Sequence, residues 1–353
     1  MSPDPAPSRL AAAAPDLYGA VDVGSHTIRV LVAACDAEGT FRPTHHERHV
    51  TRLAQGFSRQ GSLTDEAAAR ALTVVRQVAA RLRAFPLRAL RCGATGVVRK
   101  AANGADFIQR IRDATGWPVS ILSEEQEALL SLRGMVSVLE PPEGPLVCFD
   151  LGGSSTEFSL VDWETRSPLW LGSVFVGAAT LTEAFLGDAP VSTERLRKAA
   201  DHARRILRPA VESIRTSLQG RPRCGDKLTL AGTAGTVTTL AAMDARMAHY
   251  VPYRINNRIL TKTWVAETVR SLGATSLEAR RRIVGLEPGR EDIILGGAVI
   301  VEQILESFDV PHLRVTDAGL LEGLLLDGAR AAGSETAPGE PTWRFSRELE
   351  ETR

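Results

Sequence analysis

Short apolar runs alternate with helical patterns along most of the chain, which predicts an α/β architecture. Tyr18–Val23 and Ile28–Ala34 flank a Gly-Ser turn and read as the two strands of a hairpin. Thr64 stands at an N-cap position, and Leu72, Val75, Ala79 and Leu82 follow at helical spacing up to the stop at Pro86. Asn103 opens a helix carrying Phe107 and Ile111. Ser123 with Gln126 three residues on has the form of a capping box, starting a helix to about Met135.

The run Glu140-Pro-Pro-Glu-Gly-Pro145 then breaks the pattern and marks a domain boundary. Beyond it the first arrangement returns. Leu146–Phe149 is an apolar strand, Asp150-Leu-Gly-Gly-Ser-Ser-Thr-Glu157 is its turn, and Phe158–Val161 is the answering strand. Two domains are expected: residues 17–139 joined by a returning last helix at 317–331, and residues 144–316. Residues 1–16 and 333–353 read as disordered tails, with Trp343 and Phe345 as stray aromatics.

Composition narrows the partners. The 42 basic and 42 acidic residues cancel, so no global field points to nucleic acid or a membrane. The four cysteines lie far apart, without zinc or redox spacing, and read as buried thiols of a cytoplasmic protein. No apolar run approaches the ~18–20 residues of a membrane span, and the N-terminus makes a poor secretory signal. His45-His46-Glu47 lacks a third metal ligand and reads as a polar strand or loop.

Anion binding must therefore come from local architecture. Asp22-Val-Gly-Ser-His-Thr-Ile-Arg29, Asp150 to Glu157, and Leu230-Ala-Gly-Thr-Ala-Gly-Thr236 each follow an apolar strand. Glycine lets backbone N–H groups converge on an anion, and Ser or Thr hydroxyls add donors. The strand-end aspartates would repel bare phosphate, so a hard cation is expected between them and the phosphate oxygens. One such turn is ordinary; one per domain plus a third is a pattern. Arg99, on a strand-to-helix connection, has a guanidinium suited to bidentate phosphate contact. Arg290, beside Asp292, reads either as half of a structural salt bridge or as part of the substrate channel, and the structural reading is favoured.

With these loops the chain resembles the exopolyphosphatase / guanosine pentaphosphate phosphohydrolase (Ppx/GppA) family. That family belongs to the actin, hexokinase and heat-shock chaperone ATPase superfamily. The resemblance spans residues 17–330 and includes Arg52-Leu-Ala-Gln-Gly56, Ala94–Asn103, Ser123–Gly134, Val176–Glu183, Gly285–Asp292 and Gly319–Gly323. It implies two ribonuclease-H-like domains facing across a phosphate-binding cleft. It implies Glu127 as the catalytic base, and phosphate sites at Gly24, Ser25, His26, Arg99, Gly152, Gly153, Ser154, Ser155, Gly232 and Thr233. It implies Mg²⁺ (or Mn²⁺) held by Asp22, Asp150 and Glu157, and a homodimer.

Four departures stand out. His26 replaces the usual Asn, Ser154 a third glycine, Asn256-Asn257 a His-Gly, and Leu321 an Arg. The expected activity is release of terminal phosphate from inorganic polyphosphate or from guanosine pentaphosphate, a step in the stringent response. Short chains are favoured, because no extended basic track or C-terminal helical region is evident. The alternatives are a kinase or ATPase of the same superfamily and a non-catalytic guanosine polyphosphate sensor. Glu127, Asp150 and Glu157 together argue against the sensor.

Overall fold

The structure, a computed structural model, describes residues 15–187, 190–219, 227–333 and 342–343. Two six-stranded sheets organise it. The first contains β1 (Asp16–Val23), β2 (Thr27–Cys35), β3 (Thr40–Val50), β4 (Leu87–Ala94), β5 (Val119–Ile121) and β12 (Thr342–Trp343), in the order β12-β3-β2-β1-β4-β5. The second contains β6 (Leu146–Leu151), β7 (Thr156–Asp162), β8 (Ser167–Val174), β9 (Thr229–Thr233), β10 (Arg258–Thr261) and β11 (His312–Val315), in the order β10-β11-β9-β6-β7-β8. The β3-β2-β1-β4-β5 part of one matches β8-β7-β6-β9-β11 of the other. In each, the first three strands are an antiparallel meander and the next two join in parallel. The duplication legible in the sequence is thus a duplication of topology.

The alternation of strand side chains decides what meets what. On one face of the first sheet Val21, Val23, Ile28, Val30 and Val32 pack with the Asp65–Leu82 and Gly104–Thr115 helices. On the other face Tyr18, Ala20, Leu31, Ala33 and Phe41 meet Leu320, Leu321, Leu324 and Leu325 of the Leu320–Ala331 helix. Asp22 and Arg29 share that second parity.

The same helix crosses the Glu124–Val136 helix at glycines. A Cβ on Gly134 would stand 1.9 Å from Gly319 O, and one on Gly323 would stand 1.8 Å from Leu130 O. Backbone therefore packs on backbone, and any side chain there would force the two apart.

The expected caps are largely in place. Thr64 Oγ1 accepts from Ala67 N at 3.2 Å, and the Ser123–Gln126 capping box is complete. Asn103 differs. Its side chain leaves the helix uncapped and instead bonds Leu63 N and Leu63 O, at 2.8 and 2.9 Å. Glu47 accepts from His45, His49 and Arg81, which makes that stretch a polar strand. Cys35, Cys92 and Cys148 are buried; Cys224 lies outside the described residues.

Residues 1–14 of the proposed N-terminal tail and all but a few residues of the proposed C-terminal one also lie outside the described residues, while Asp16, placed at the end of that tail, already pairs with Cys35 in β1. Trp343, however, corrects its reading as a stray aromatic. It pairs with Phe41 in β3, its ring centroid is 5.4 Å from that of Phe41, and its Nε1 donates to Ser137 Oγ at 2.9 Å. An indole that finds both an apolar partner and a hydrogen bond is a packing residue. Trp343→Ala should lower unfolding stability by about 2–4 kcal/mol, read as a fall in denaturant midpoint, with Trp343→Phe recovering most of it. An unchanged midpoint would show that this docking is energetically idle.

Candidate active site

Each sheet offers one four-residue hairpin loop to a common cleft. Gly24–Thr27 separates the last paired residues of β1 and β2, Val23 and Ile28, and Gly152–Ser155 separates those of β6 and β7, Leu151 and Thr156. Each is closed by the first residue's N–H donating to the fourth residue's carbonyl at 3.0 Å. The two loops touch, since Ser25 Oγ and Ser154 Oγ share a 3.0 Å hydrogen bond while Val97 N donates to Ser25 Oγ at 3.0 Å. Ser154 is absent from the positive-φ positions, so replacing a glycine there costs no left-handed strain.

Strand register sets the charges behind each loop. Asp22 lies opposite Arg29, which donates from Nε and Nη2 to Asp22 Oδ2 at 2.9 and 2.8 Å. Asp22 Oδ1 is buried with no hydrogen-bond partner. Asp150 lies opposite Glu157, and Ser131 Oγ donates to Asp150 Oδ2 at 2.5 Å. Burial pushes the Asp150 carboxyl above the usual range, against the pull of Arg29. The first hairpin thus carries a neutral pair and the second a doubly acidic one.

Glu127 faces this cleft from the first turn of its capped helix and is 7% exposed. Arg99 Nη1 donates to Glu127 Oε2 at 2.6 Å and to Leu122 O at 2.9 Å. Burial drives the Glu127 carboxyl up to about 7; Arg99 opposes the rise, and Asp150 and Asp22 add to it. A carboxyl poised near neutrality inside a cleft has the protonation range a general base needs.

A third wall is Ala234-Gly235-Thr236, which opens the Ala234–Asp244 helix, together with Arg290 and Arg48. Ala234 has φ 73°, so the left-handed position of this turn is taken by a residue other than glycine. Arg290 Nε and Arg48 Nη1 both donate to Glu287 Oε2, at 2.5 and 2.9 Å. His26 lines the cleft, and burial lowers its pKa to about 4, so the neutral ring donates from Nε2 to Gly289 O at 3.2 Å.

The cleft therefore brings together Asp22, Gly24, Ser25, His26, Glu127, Asp150, Gly152, Gly153, Ser154 and Ser155. Four expected site residues do not line it. Gly232 lies within β9, where a Cβ would come 2.5 Å from the Phe149 ring, and Thr233 is fully buried with Oγ1 donating to Ala318 O at 2.8 Å. The strand simply runs farther than its glycine suggested, and the next turn does the lining. Arg99 stands behind Glu127 as its partner. Glu157 sits behind the loop with Oε1 accepting from Ser173 Oγ at 2.9 Å, its carboxyl raised well above the usual range by burial and then by Glu127 and Asp150.

Arg29, Arg48 and Thr236 are cleft residues that sequence reasoning does not single out as site residues; Arg290 also lines the cleft, and its salt-bridge partner is Glu287 rather than Asp292. Only Arg29 has a local signal: the hairpin register places it across from Asp22.

The remaining departures have local explanations. Asn257 has φ 64°, a conformation Asn tolerates where glycine is usual, and its side chain ties Glu140 N and Val138 O at 2.9 and 3.0 Å. Asn256 Oδ1 accepts from Asp317 N at 2.7 Å. Leu321 is buried in the core of the first sheet.

Two sheets of one topology, each turning an aspartate-bearing hairpin toward a shared cleft, define a protein of the two-lobed actin-like ATPase fold. An exopolyphosphatase from Cytophaga hutchinsonii superposes with a TM-score of 0.79 at 22% identity, over 90% of this chain and 98% of that one. A Ppx/GppA family member from Aquifex aeolicus superposes with a TM-score of 0.73 at 24% identity, over 91% and 99%. Exopolyphosphatase 2 of Mycobacterium tuberculosis is 30% identical over 319 residues, covering 87% of this chain and 97% of that protein. Residues 31–331 match the Ppx/GppA phosphatase family, and the chain belongs to it. Among the described residues no helix is long and apolar enough to cross a membrane.

Proposed function

We propose that this protein hydrolyses the terminal phosphoric anhydride of inorganic polyphosphate, with the cleft lying between residues 17–139 plus 317–331 on one side and 144–316 on the other. The carrying observation is Glu127, a buried carboxyl with a pKa of about 7 held by Arg99 between two glycine-serine loops. The terminal phosphate takes hydrogen bonds from the loop N–H groups and from Ser25 and Ser154, whose mutual bond it replaces. The amino end of the Ala234–Asp244 helix adds further N–H donors. Glu127 accepts a proton from water as the oxygen attacks phosphorus. The bridging P–O bond breaks, and the shortened chain departs with the electron pair. Positioning and charge stabilisation supply most of the acceleration.

Charge supports a metal requirement. The cleft lining holds three carboxylates, Asp22, Glu127 and Asp150, and three guanidiniums, Arg29, Arg48 and Arg290. Each guanidinium already bonds a carboxylate. Arg29 is matched by Asp22, whereas Arg48 and Arg290 share the single carboxylate of Glu287, so the one positive charge left over falls far short of an incoming polyanion. Among the described residues no group of three His, Cys, Asp or Glu stands close enough to hold a metal alone. A magnesium ion fits that donor set, because it binds through one or two carboxylates and completes its shell with phosphate oxygens and water. Asp22 Oδ1 and Asp150 would hold it, and Glu157 stands opposite Asp150 on the neighbouring strand. Bound there, it would neutralise phosphate charge and help orient the terminal group.

The test is phosphate release from polyphosphate in magnesium, with ATP and guanosine pentaphosphate in parallel. No release from polyphosphate would reject the reading, and transfer only to an organic acceptor would favour a kinase. The pH profile adds a second check. Because only ionised Glu127 takes a proton, kcat/KM should climb about tenfold per unit below about pH 6 and level off above about pH 8. A flat profile across that range would remove Glu127 from the proton transfer.

A further inference from the structure

Lys100 and Phe175 meet outside the cleft lining, one from each sheet's half, four residues after Gly96 and three before Ala178, which both line it. Lys100 ends the short Val97–Lys100 helix, directly after the arginine that holds Glu127. Phe175 follows β8, and three residues later the chain is pinned to the second hairpin loop. Ala178 N donates to Gly152 O at 3.0 Å and Ala179 N to Gly153 O at 2.8 Å. Lys100 Nζ stands 4.0 Å from the Phe175 ring centroid. It also lies 3.6 Å from Glu124 Oε1, which Arg99 Nη2 approaches at 3.7 Å.

Two features set this pair apart. Phe175 is 42% exposed although its neighbour Val176 is buried, so apolar packing does not account for the ring's position. A cation over its face does. Second, Arg29, Arg48, Arg99 and Arg290 all donate hydrogen bonds to carboxylates, whereas Lys100 meets Glu124 only beyond hydrogen-bond distance. Its ammonium is held in place by the ring while its donors stay available. An ammonium is a compact point charge that can donate to phosphate oxygens from many directions, which suits a flexible chain better than a fixed fork.

We propose that Lys100, propped on Phe175, binds the phosphates that follow the scissile end of a linear polyphosphate and so sets the preference for chain length. This rests on the hydrolase reading above. Terminal phosphate occupies the two hairpin loops, and the next phosphates pass the Lys100–Phe175 bridge. An incoming phosphate displaces Glu124 as the partner of the ammonium.

The experiment compares a medium-chain polyphosphate with tripolyphosphate, by kinetics and by titration calorimetry in magnesium. Lys100→Gln should raise KM and weaken binding of the medium chain about tenfold, the loss of one charge-assisted contact. The effect on tripolyphosphate should be smaller, because fewer of its phosphates reach the bridge. Lys100→Arg, which keeps the charge, should retain most of the affinity. Phe175→Ala should raise the medium-chain KM about threefold alone and add nothing to Lys100→Gln, since the ring acts through the ammonium. Equal losses for both substrates would overturn the proposal. So would a Phe175→Ala effect that persists without the lysine, or that appears only with guanosine pentaphosphate. Turnover by the wild type with binding indifferent to Lys100 rejects this subsite alone. Lys100-dependent binding without any phosphate release rejects the hydrolase reading and leaves the subsite standing.

Discussion

Glu127→Gln should reduce phosphate release by about 10²–10⁴-fold while leaving polyphosphate binding nearly intact. The amide is close in size to the carboxylate, and its oxygen can still accept from Arg99 Nη1, so the packing around the residue survives. What is lost is the capacity to take a proton from water. Glu125→Gln is the control: it lies two residues away in the same first turn but is exposed to solvent. Stopped turnover in the control with normal turnover in Glu127→Gln would move the base elsewhere. A large rise in KM with unchanged kcat would make Glu127 a binding residue.

Chelation should stop the enzyme as completely, and magnesium should restore it. Within the site Asp150→Asn is the sharper probe, expected to raise the magnesium concentration for half-maximal activity and lower the rate by about 10–100-fold or more. Ser131 Oγ can still donate to the amide oxygen that this substitution leaves in place of the carboxylate, so the local packing is kept. Asp22→Asn is less decisive, because it also weakens the buried pair with Arg29. Full activity in excess EDTA would rule out the metal altogether.

What the sequence revealed about this site followed the range of each signal. The two hairpin loops were legible because strand, turn and strand fall within one short stretch of chain, and a four-residue loop with glycine at its start has few conformations. The start of the Glu127 helix was legible for the same reason, since a capping box spans only the first turn. The third wall was legible as a stretch, Leu230–Thr236, but not in which of its residues line the cleft. Gly232 suggested a turn by its residue type, yet its smallness accommodates the Phe149 ring, and the left-handed residue is Ala234. Arg48 comes from the opposite half of the chain and meets Arg290 through Glu287, a long-range contact with no local trace, although Glu287 itself lies only three residues before Arg290. Trp343 looked idle because its partners, Phe41 and Ser137, are far away in the sequence.

The returning helix Leu320–Ala331 also bears on how the chain is made. One apolar face of the first sheet, with Tyr18, Leu31 and Phe41, finds most of its cover in the last described segments, Leu320–Ala331 and Trp343, with Leu122 and Leu130 contributing to the rest. At about 5–20 residues per second of synthesis, that face waits roughly 15 to 60 seconds while the whole second sheet is translated. The amino-terminal half therefore cannot finish folding as it emerges from the ribosome, and during that interval it presents an adhesive surface. The carboxy-terminal half, whose strands and helices lie in one continuous stretch, can close on itself first and then deliver the missing helix. The order of completion is the reverse of the order of synthesis, and a nascent chain stalled before Leu320 should be the species that chaperones hold.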